Sequence, residues 1–598
     1  MTDGANNSLD LALIGNCIHS ALIDRSGRII WSCLPSYDGD PMFCRLINDD
    51  NGEGGFFDIR LDGFKDSQQN YERNTAVLTT TLRAEDGAAV EITDFAPRFK
   101  QFGRTYRPVM TVRIVRPLAG SPRITVRLRP SADYGAHRPE TTYGSNHIRY
   151  LMTAATMRLT TNAPLAMVRD EIPFVLEGPI TMIFGPDETL SAPVVDTGRD
   201  FLERTLDYWL EWVRYLSIPF EWQEAVIRAA ITLKLCNFEE TGAVIAAMTT
   251  SIPEAAESGR NWDYRYCWLR DAFFVVQALN RLGATRTMES YLRYITNVVA
   301  SSRDGFLQPV YAINTQAQLT ERTVDSLAGF RGMGPVRVGN QAFEHIQNDV
   351  YGSVILASTH SFFDQRLRNP GDAALFERLE QVGQQCLARF DQPDAGIWEF
   401  RGRAEIHTHS AVMSWAGCDR LARIAQKLGR ADREAFWEGE AARLREAILK
   451  AAWNEELGSF VSTFGGRDLD ASLLLINELG FVAADDPRFA GTIAAVEKHL
   501  KKDDFIYRYA TADDFGMPET AFLVCTFWYI DALAALGRGD EARAHFERML
   551  TFRNSCGLLS EDLDTSDGTL WGNFPQTYSM VGLINSAMGL SRSWEEAL

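Results

Sequence analysis

Close to residue 200 the hydrophobic pattern of this 598-residue chain changes period, from two to 3.6, and that change limits the architectures open to it. Before that point, short apolar runs alternate with polar residues and are cut by Gly, Pro and Asp. His19 to Asp24 and Arg28 to Pro35 flank Arg25-Ser26-Gly27, a hairpin signal. The pattern recurs in TAVLTTTLRAEDGAAVEITDF about Asp86-Gly87, and again in VMTVRIVRPLAGSPRITVRLRP with its break at Gly120 to Pro122. Alternation, β-branched enrichment and short turns predict an antiparallel β-sandwich. Next, FLERTLDYWLEWVRYL reads as an amphipathic helix joining two halves. About a dozen helical segments follow, starting near residues 222, 270, 287, 345, 372, 407, 430, 470, 487, 518, 538 and 576. Twelve helices in one unit predict six outer–inner hairpins closed into an (α/α)6 barrel. A helical solenoid is the alternative, but no fixed-period repeat supports it. The expected division is 1–199 for the sandwich, 200–218 for a helical linker and 219–598 for the barrel, in keeping with a length beyond what one core usually organises. Long loops such as Ser302 to Phe343 would gather at one mouth of the barrel.

The formal charge of -19 repels phosphate backbones and anionic membranes, so neither nucleic acid nor a membrane surface is an expected partner. A neutral small molecule is indifferent to it. The N-terminus shows no basic segment followed by an apolar run, and no stretch of about 18 apolar residues occurs. The nine cysteines are scattered without a C-x-x-C pair. Together these predict a cytoplasmic protein with reduced thiols. Oligomeric state, homo-oligomerisation included, is left open.

Three segments look chemical. NWDYRYCWLRD, Asn261 to Asp271, packs four aromatics, two arginines and two aspartates into eleven residues at a helix start. Aromatics stack on sugar faces, while arginine and aspartate grip paired hydroxyls. A buried Arg–Asp pair capping the helix is the competing structural reading. GIWEFRG, Gly396 to Gly402, presents Glu399 on a loop after a tryptophan, where apolar surroundings would raise its pKa towards that of a general acid. A solvated surface glutamate is the plain alternative. LLSEDLDTSDG, Leu558 to Gly568, offers Glu561 as a base, against an acidic turn. Other chemistries lack support: His407 and His409 are i, i+2 with no H-E-x-x-H, Gly329 to Gly334 has no strand–helix unit around it, and there is no G-x-S-x-G. No metal and no cofactor are expected.

Taken together and in this order, the three segments resemble the glucoamylase family of inverting α-glucosidases, glycoside hydrolase family fifteen, which includes bacterial trehalases. IHSALIDRSGRIIWSCLPSYDGDPMFCRLI resembles the β-rich N-terminal domain of the trehalase-like members. The resemblance implies Glu399 as general acid and Glu561 as general base, with inversion at the sugar carbon. It implies Arg270 and Asp271 holding a terminal glucose, Trp268 and Trp398 as pocket walls, and Arg508, in YRYATADDFGMPETAF, as a further sugar-binding arginine. Asp349 in HIQNDVYGSVI resembles a supporting position.

The implied activity is exo-acting hydrolysis of a small α-glucoside with release of glucose. α,α-Trehalose is the first expectation, because the N-terminal half is of the trehalase-like type and no secretion signal or appended binding domain points to starch. A glucoamylase-like enzyme for maltose, isomaltose or short dextrins is the alternative. A phosphorylase, or a binding protein with a dead site, belongs to different classes, and both acids in their motifs speak against them. Trp31 or Asp38 could reach the pocket from the sandwich, although a core role is expected for the tryptophan.

Overall fold

The computed structural model describes residues 7–48 and 54–597. The expected outer ends of the two halves, residues 1 and 598, and the first residues of the N-terminal stretch read for a leader lie outside them. Two large antiparallel sheets fill the first half, beside a two-stranded ribbon of Phe99–Gln101 and Arg104–Tyr106. A seven-stranded sheet runs from Ala12–Gly15 through Ser20–Ile23, Ile29–Leu34, Phe56–Leu61 and Arg123–Arg129 to Phe174–Val175, with Asp40–Phe43 paired beside Ile29–Leu34. The eight-stranded sheet places Thr111–Ala119 between Ile180–Pro186 and Ala89–Phe95. The sheets meet at Phe57 and Phe184, ring centroids 6.4 Å apart. Fully buried Arg113 ties them, binding Asp94 on its own sheet at 2.7 Å and Phe57 O on the other at 2.6 Å.

Two of the expected hairpins form, Ser20–Ile23 with Ile29–Leu34 and Leu78–Ala84 with Ala89–Phe95. The third does not. Thr111–Ala119 belongs to the eight-stranded sheet, whereas Arg123–Arg129 pairs with Phe56–Leu61 in the other, so Gly120 to Pro122 carries the chain across the sandwich. Alternation fixes which face of a strand is buried, not which strand lies beside it.

α1 (Leu165–Arg169) is a single short turn, and α2 (Val194–Arg214) is the helix expected between the halves, starting soon after the last strand. It lies on the eight-stranded sheet rather than standing free. Gly198 lets it approach, since a Cβ there would sit 2.5 Å from Thr181 Cγ2, and Phe201 packs on Phe99 at 5.3 Å.

The helices that build the second half are α3 (Gln223–Leu235), α4 (Ala272–Arg281), α5 (Thr285–Ser301), α6 (Asp349–Phe363), α7 (Ala373–Arg389), α8 (Thr408–Lys427), α9 (Ala431–Ala452), α10 (Pro487–Leu500), α11 (Leu523–Ala535), α12 (Gly539–Leu550) and α13 (Thr577–Leu590), with a 3-10 helix, Ala471–Ile476, before α10 and a last short turn, α14 (Trp594–Ala597). α4, α6, α8, the 3-10 helix, α11 and α13 touch in a closed inner ring, and α3, α5, α7, α9, α10 and α12 cover it. This is an (α/α)6 barrel. The inner helices α6, α11 and α13 are buried almost all round, as a helix walled on every side must be, while outer helices such as α9 bury one stripe.

Two starts differ from expectation. The segment near 470 is only a 3-10 turn, capped by Asp470 onto Ser472 N–H. The segment near 518 becomes helical at Leu523, because Ala521–Phe522 first pairs with Asp562–Leu563 as a strand. All nine cysteines are free and buried, and among the described residues no helix is long and apolar enough to cross a membrane.

Candidate active site

Seven residues singled out from the sequence, Trp268, Arg270, Asp271, Trp398, Glu399, Arg508 and Glu561, line one cavity of about 90 Å³ inside the barrel. At roughly 30 Å³ of liquid volume per water it holds a few waters, the solvent that a sugar ring would displace. Among the described residues, none of the first half lines it. Trp31 is 1% exposed and donates through Nε1 to Met248 O at 2.7 Å, and Asp38 accepts from Ser36 Oγ, so neither reaches the sugar space.

The NWDYRYCWLRD segment contains both readings weighed for it. Arg265 and Asp263 form a fully buried pair at 2.7 Å, and Arg265 Nη1 donates to Gly39 O at 2.6 Å, which fixes the segment onto the N-terminal half. Arg270 and Asp271 face the cavity instead. Asp271 precedes α4 but makes no side-chain cap bond, and its Oδ1 has no hydrogen-bond partner. Burial pushes its carboxyl up to about 6 despite Arg270 Nε at 3.5 Å. A carboxylate oxygen with no hydrogen bond of its own at a sugar-sized space can accept from a hydroxyl.

Glu399 sits at φ +59, a left-handed conformation that costs a residue with a side chain about 1–2 kcal/mol. Its loop is held there from both sides. Asp514 accepts from the N–H groups of Arg401 and Gly402 at 2.8 and 3.0 Å, and Trp398 Nε1 donates to Asp470 at 2.9 Å. Three donors converge on Glu399 Oε1: Trp268 Nε1 at 2.7 Å, Arg270 Nη1 at 3.0 Å and Gln347 Nε2 at 3.2 Å. Among the described residues no donor reaches Oε2, which leaves that oxygen to the cavity. The expected upward pKa shift is not found. Burial does push the carboxyl up, but Arg270, His345 and the bonds from Gln347 and Trp268 outweigh it and hold Glu399 below the ordinary range.

Glu561 is 2% exposed, and Tyr264 Oη donates to its Oε1 at 2.7 Å. Gly572, at φ +73, packs against it so closely that a Cβ would lie 2.6 Å from Glu561 Cβ and 2.8 Å from Oε2. The turn reading suits its neighbours, since Asp564 accepts from Ser566 N–H at 2.8 Å, but not Glu561 itself. Burial, then Glu254 and Asp562, raise its pKa well above the ordinary value, against Tyr264 and Arg508. Arg508 bonds Glu254 and lies 3.6 Å from Asp562.

Two side chains that line the cavity, Glu254 and Tyr264, escaped the sequence reading. Glu254 sits in a loop, SIPEAAESG, that carries no signal beyond a single acid. Tyr264 lay within the marked aromatic cluster, but nothing separated it from its neighbours. It meets Trp268 edge-on at 5.3 Å, so a continuous wall joins the two acids. Asp349 is fully buried with both oxygens unpartnered, and burial raises it to about 7. His407 binds Asp394 at 2.7 Å away from the cavity, and Gly329 N–H bonds Ile47 O where the long loop meets the first half. Among the described residues no group of three or more His, Cys, Asp or Glu stands where it could hold a metal.

The family model described as Glycosyl hydrolases family 15 matches residues 222–588, and one described as Trehalase-like, N-terminal, matches residues 4–168. A trehalase of Thermoplasma volcanium is 32% identical over 98% of this chain and 93% of its own length. A trehalase of Thermoplasma acidophilum is 31% identical over 96% and 98%. A bacterial glucoamylase solved with acarbose shares the fold across 98% of this chain and 94% of its own, with a TM-score of 0.69 at 14% identity.

Proposed function

The chain belongs to glycosyl hydrolase family 15, and from that premise we propose that it is an inverting, exo-acting α-glucoside hydrolase whose substrate is α,α-trehalose. The observation that carries the mechanism is the meeting of Glu399 and Glu561 in one sugar-sized cavity. Glu399, pinned through Oε1, presents Oε2 to the glycosidic oxygen and protonates it as the C1–O bond stretches. Glu561 takes a proton from water, which attacks C1 from the opposite face in a single displacement. Arg270 and Asp271 hold the hydroxyls of the terminal glucose, with Arg508 as a further sugar-binding arginine, and Trp268 and Trp398 flank its ring. Proton transfer needs no bound metal or cofactor in this scheme.

Trehalose is favoured by the two Thermoplasma relatives, named trehalases and aligned over nearly the whole chain, and by the match of the first half to the trehalase-like N-terminal model. Nine buried free thiols suit a reducing compartment, and we place the protein in the cytoplasm.

Glu399→Gln and Glu561→Gln test the pair. Each should lose about a hundred- to ten-thousandfold in trehalose hydrolysis, the worth of a positioned acid or base. Near-wild-type glucose release by either variant removes that residue from the mechanism, whereas wild-type protein that releases no glucose, or releases it only with phosphate, is a binding protein or a phosphorylase. Early products followed by NMR should show one β- and one α-glucose per trehalose, whereas two α-glucoses mean retention. Faster turnover of maltose or isomaltose than of trehalose selects the glucoamylase-like reading.

A further inference from the structure

A second cleft, of about 900 Å³, opens between the two halves and shares no lining residue with the sugar cavity. Its walls are the strand Arg104–Tyr106 of the first half, the N-terminal part of α5, and the loop from α6 to α7. Five arginines line it: Arg104, Arg107, Arg286, Arg293 and Arg368. On a chain of net charge -19 such a concentration is conspicuous.

The carboxylates of the cleft are already engaged. Glu239 accepts from Arg98 at 2.6 Å and Lys234 at 2.5 Å, with Arg107 Nε at 3.2 Å. Glu289 accepts from the backbone N–H groups of Arg368 and Asn369, and Asp372 caps α7 through Leu375 N–H at 2.8 Å. The arginines are not matched in the same way. Arg293 reaches Ser290 Oγ at 3.2 Å, and among the described residues no carboxylate lies within ion-pair distance of the guanidinium of Arg104, Arg286, Arg293 or Arg368. At the floor, Arg98 and Lys234 are 1% and 3% exposed. With Arg107 they share the single Glu239, so a surplus of positive charge is buried there. The Nε atom of Arg98 is buried without a hydrogen-bond partner. α5 begins without a side-chain cap, so its first-turn N–H groups add their dipole to the same space.

We propose that this interdomain cleft binds a phosphate group, carried either by inorganic phosphate or by a phosphate ester of a small sugar. A single carboxylate would engage one guanidinium fork, whereas several unpaired forks around a buried cationic floor match a multiply charged oxyanion with three acceptor oxygens. The volume falls in the small-molecule range of about 300–1,000 Å³. The ligand would bridge Arg104 of one half and Arg286 and Arg368 of the other, and the proposal stands apart from the hydrolase reading.

Calorimetric titration of the full chain with inorganic phosphate, at constant ionic strength, should give saturable one-site binding. Arg104, Arg286 and Arg368 are exposed, so the triple variant Arg104→Ala, Arg286→Ala, Arg368→Ala should fold with an unchanged melting temperature in phosphate-free buffer. It should bind phosphate at least about tenfold more weakly. Glucose release without phosphate should match wild type, and Arg467→Ala, an exposed arginine paired with Glu456, should bind phosphate as wild type does. Glucose 6-phosphate distinguishes the sources: about tenfold tighter binding than inorganic phosphate assigns the cleft to the ester, and equal or weaker binding assigns it to free phosphate. Absence of saturable binding of both ligands up to about 10 mM, or undiminished affinity in the triple variant, overturns the proposal.

Discussion

Replacing Tyr264 by Phe removes one oxygen and leaves the ring. The ring keeps its edge-on contact with Trp268, so the cavity wall survives, but the 2.7 Å bond to Glu561 Oε1 is lost. The other donor to this carboxylate, Asn573 N–H at 3.4 Å, is too distant to replace it. A hydrogen bond to a charged group contributes about 1.5–3 kcal/mol. Because it stabilises ionised Glu561, its loss raises further a pKa that burial, Glu254 and Asp562 already hold high. Glu399 lies on the opposite side of its ordinary range. The empty site therefore stores its proton on the base side, the reverse of what the reaction uses. In that regime the fraction of enzyme with Glu399 protonated and Glu561 ionised is small and flat between the two pKa values. The acid limb of kcat/KM then reports Glu399 and the alkaline limb Glu561. Raising Glu561 lowers the plateau by the factor gained in its proton affinity. At about 1.36 kcal/mol per tenfold, the lost bond costs about ten- to a hundred-and-fiftyfold in plateau kcat/KM. The alkaline limb moves up while the acid limb stays. Initial rates on trehalose from about pH 4 to pH 10, with melting temperature as the folding control, measure this. If Glu561 were instead the proton donor, the same substitution would move the alkaline limb and leave the plateau at wild-type height. That outcome, or an acid limb that moves, refutes the assignment.

Gly572→Ala should displace Glu561 by pressing a Cβ into its side chain, costing about a hundredfold in kcat for a shift on the order of 1 Å, with far-ultraviolet circular dichroism unchanged. A wild-type kcat would show that the glycine does not fix the base. Asp349→Asn should stabilise the protein increasingly as pH rises. The folded-state pKa of Asp349, about 7, lies above its ordinary 3.8, so its contribution to stability is present below about 3.8 and lost as pH rises through about 7. Melting temperatures of variant and wild type should therefore diverge between pH 4 and pH 7, and parallel curves would mean that Asp349 is not buried unpaired.

Periodicity carried most of the fold. Eleven of the twelve helical segments beyond the linker lie as α-helices within a few residues of where breakers and the 3.6 repeat put them. The misplacements have local causes. ASLLLI, Ala471–Ile476, is wholly buried and so apolar throughout, and a six-residue apolar run does not distinguish a 3-10 turn from a longer helix. Ala521–Phe522 is drawn into a strand by its partner Asp562–Leu563, forty residues further on. The sheets show the same limit, since Thr111–Ala119 and Arg123–Arg129 are legible as strands while their membership of different sheets is not. At the site, motif order marked the cavity's polar floor. The electrostatic balance stayed hidden, because it depends on Gln347 and His345, in a segment marked only for Asp349, and on Glu254, in a loop with no pattern of its own, which reach the two acids from far along the chain.

The eleven residues from Asn261 to Asp271 show why composition alone could not decide between structure and chemistry. Two Arg–Asp pairs lie in one segment, and each follows one of the competing readings. Arg265 with Asp263 is fully buried and grips Gly39 of the first half, while Arg270 with Asp271 opens onto the cavity and Glu399. The first pair sets the backbone from which the second projects. A domain none of whose described residues lines the cavity thereby fixes the site, because the strand Cys267–Trp268 and the start of α4 are carried on a segment anchored below by Gly39. Trp31 on Met248 and Tyr37 on Leu235 extend that anchorage, and one buried hydrophobic cluster runs from Leu9 through both halves to Ala587. The period change near residue 200 divides the chain by secondary structure, and the core passes through that division uninterrupted. Cutting there would bare Met248 O, Leu235 O and the guanidinium of Arg265 together, so the barrel depends on the sandwich for its stability as well as for the placement of Arg270.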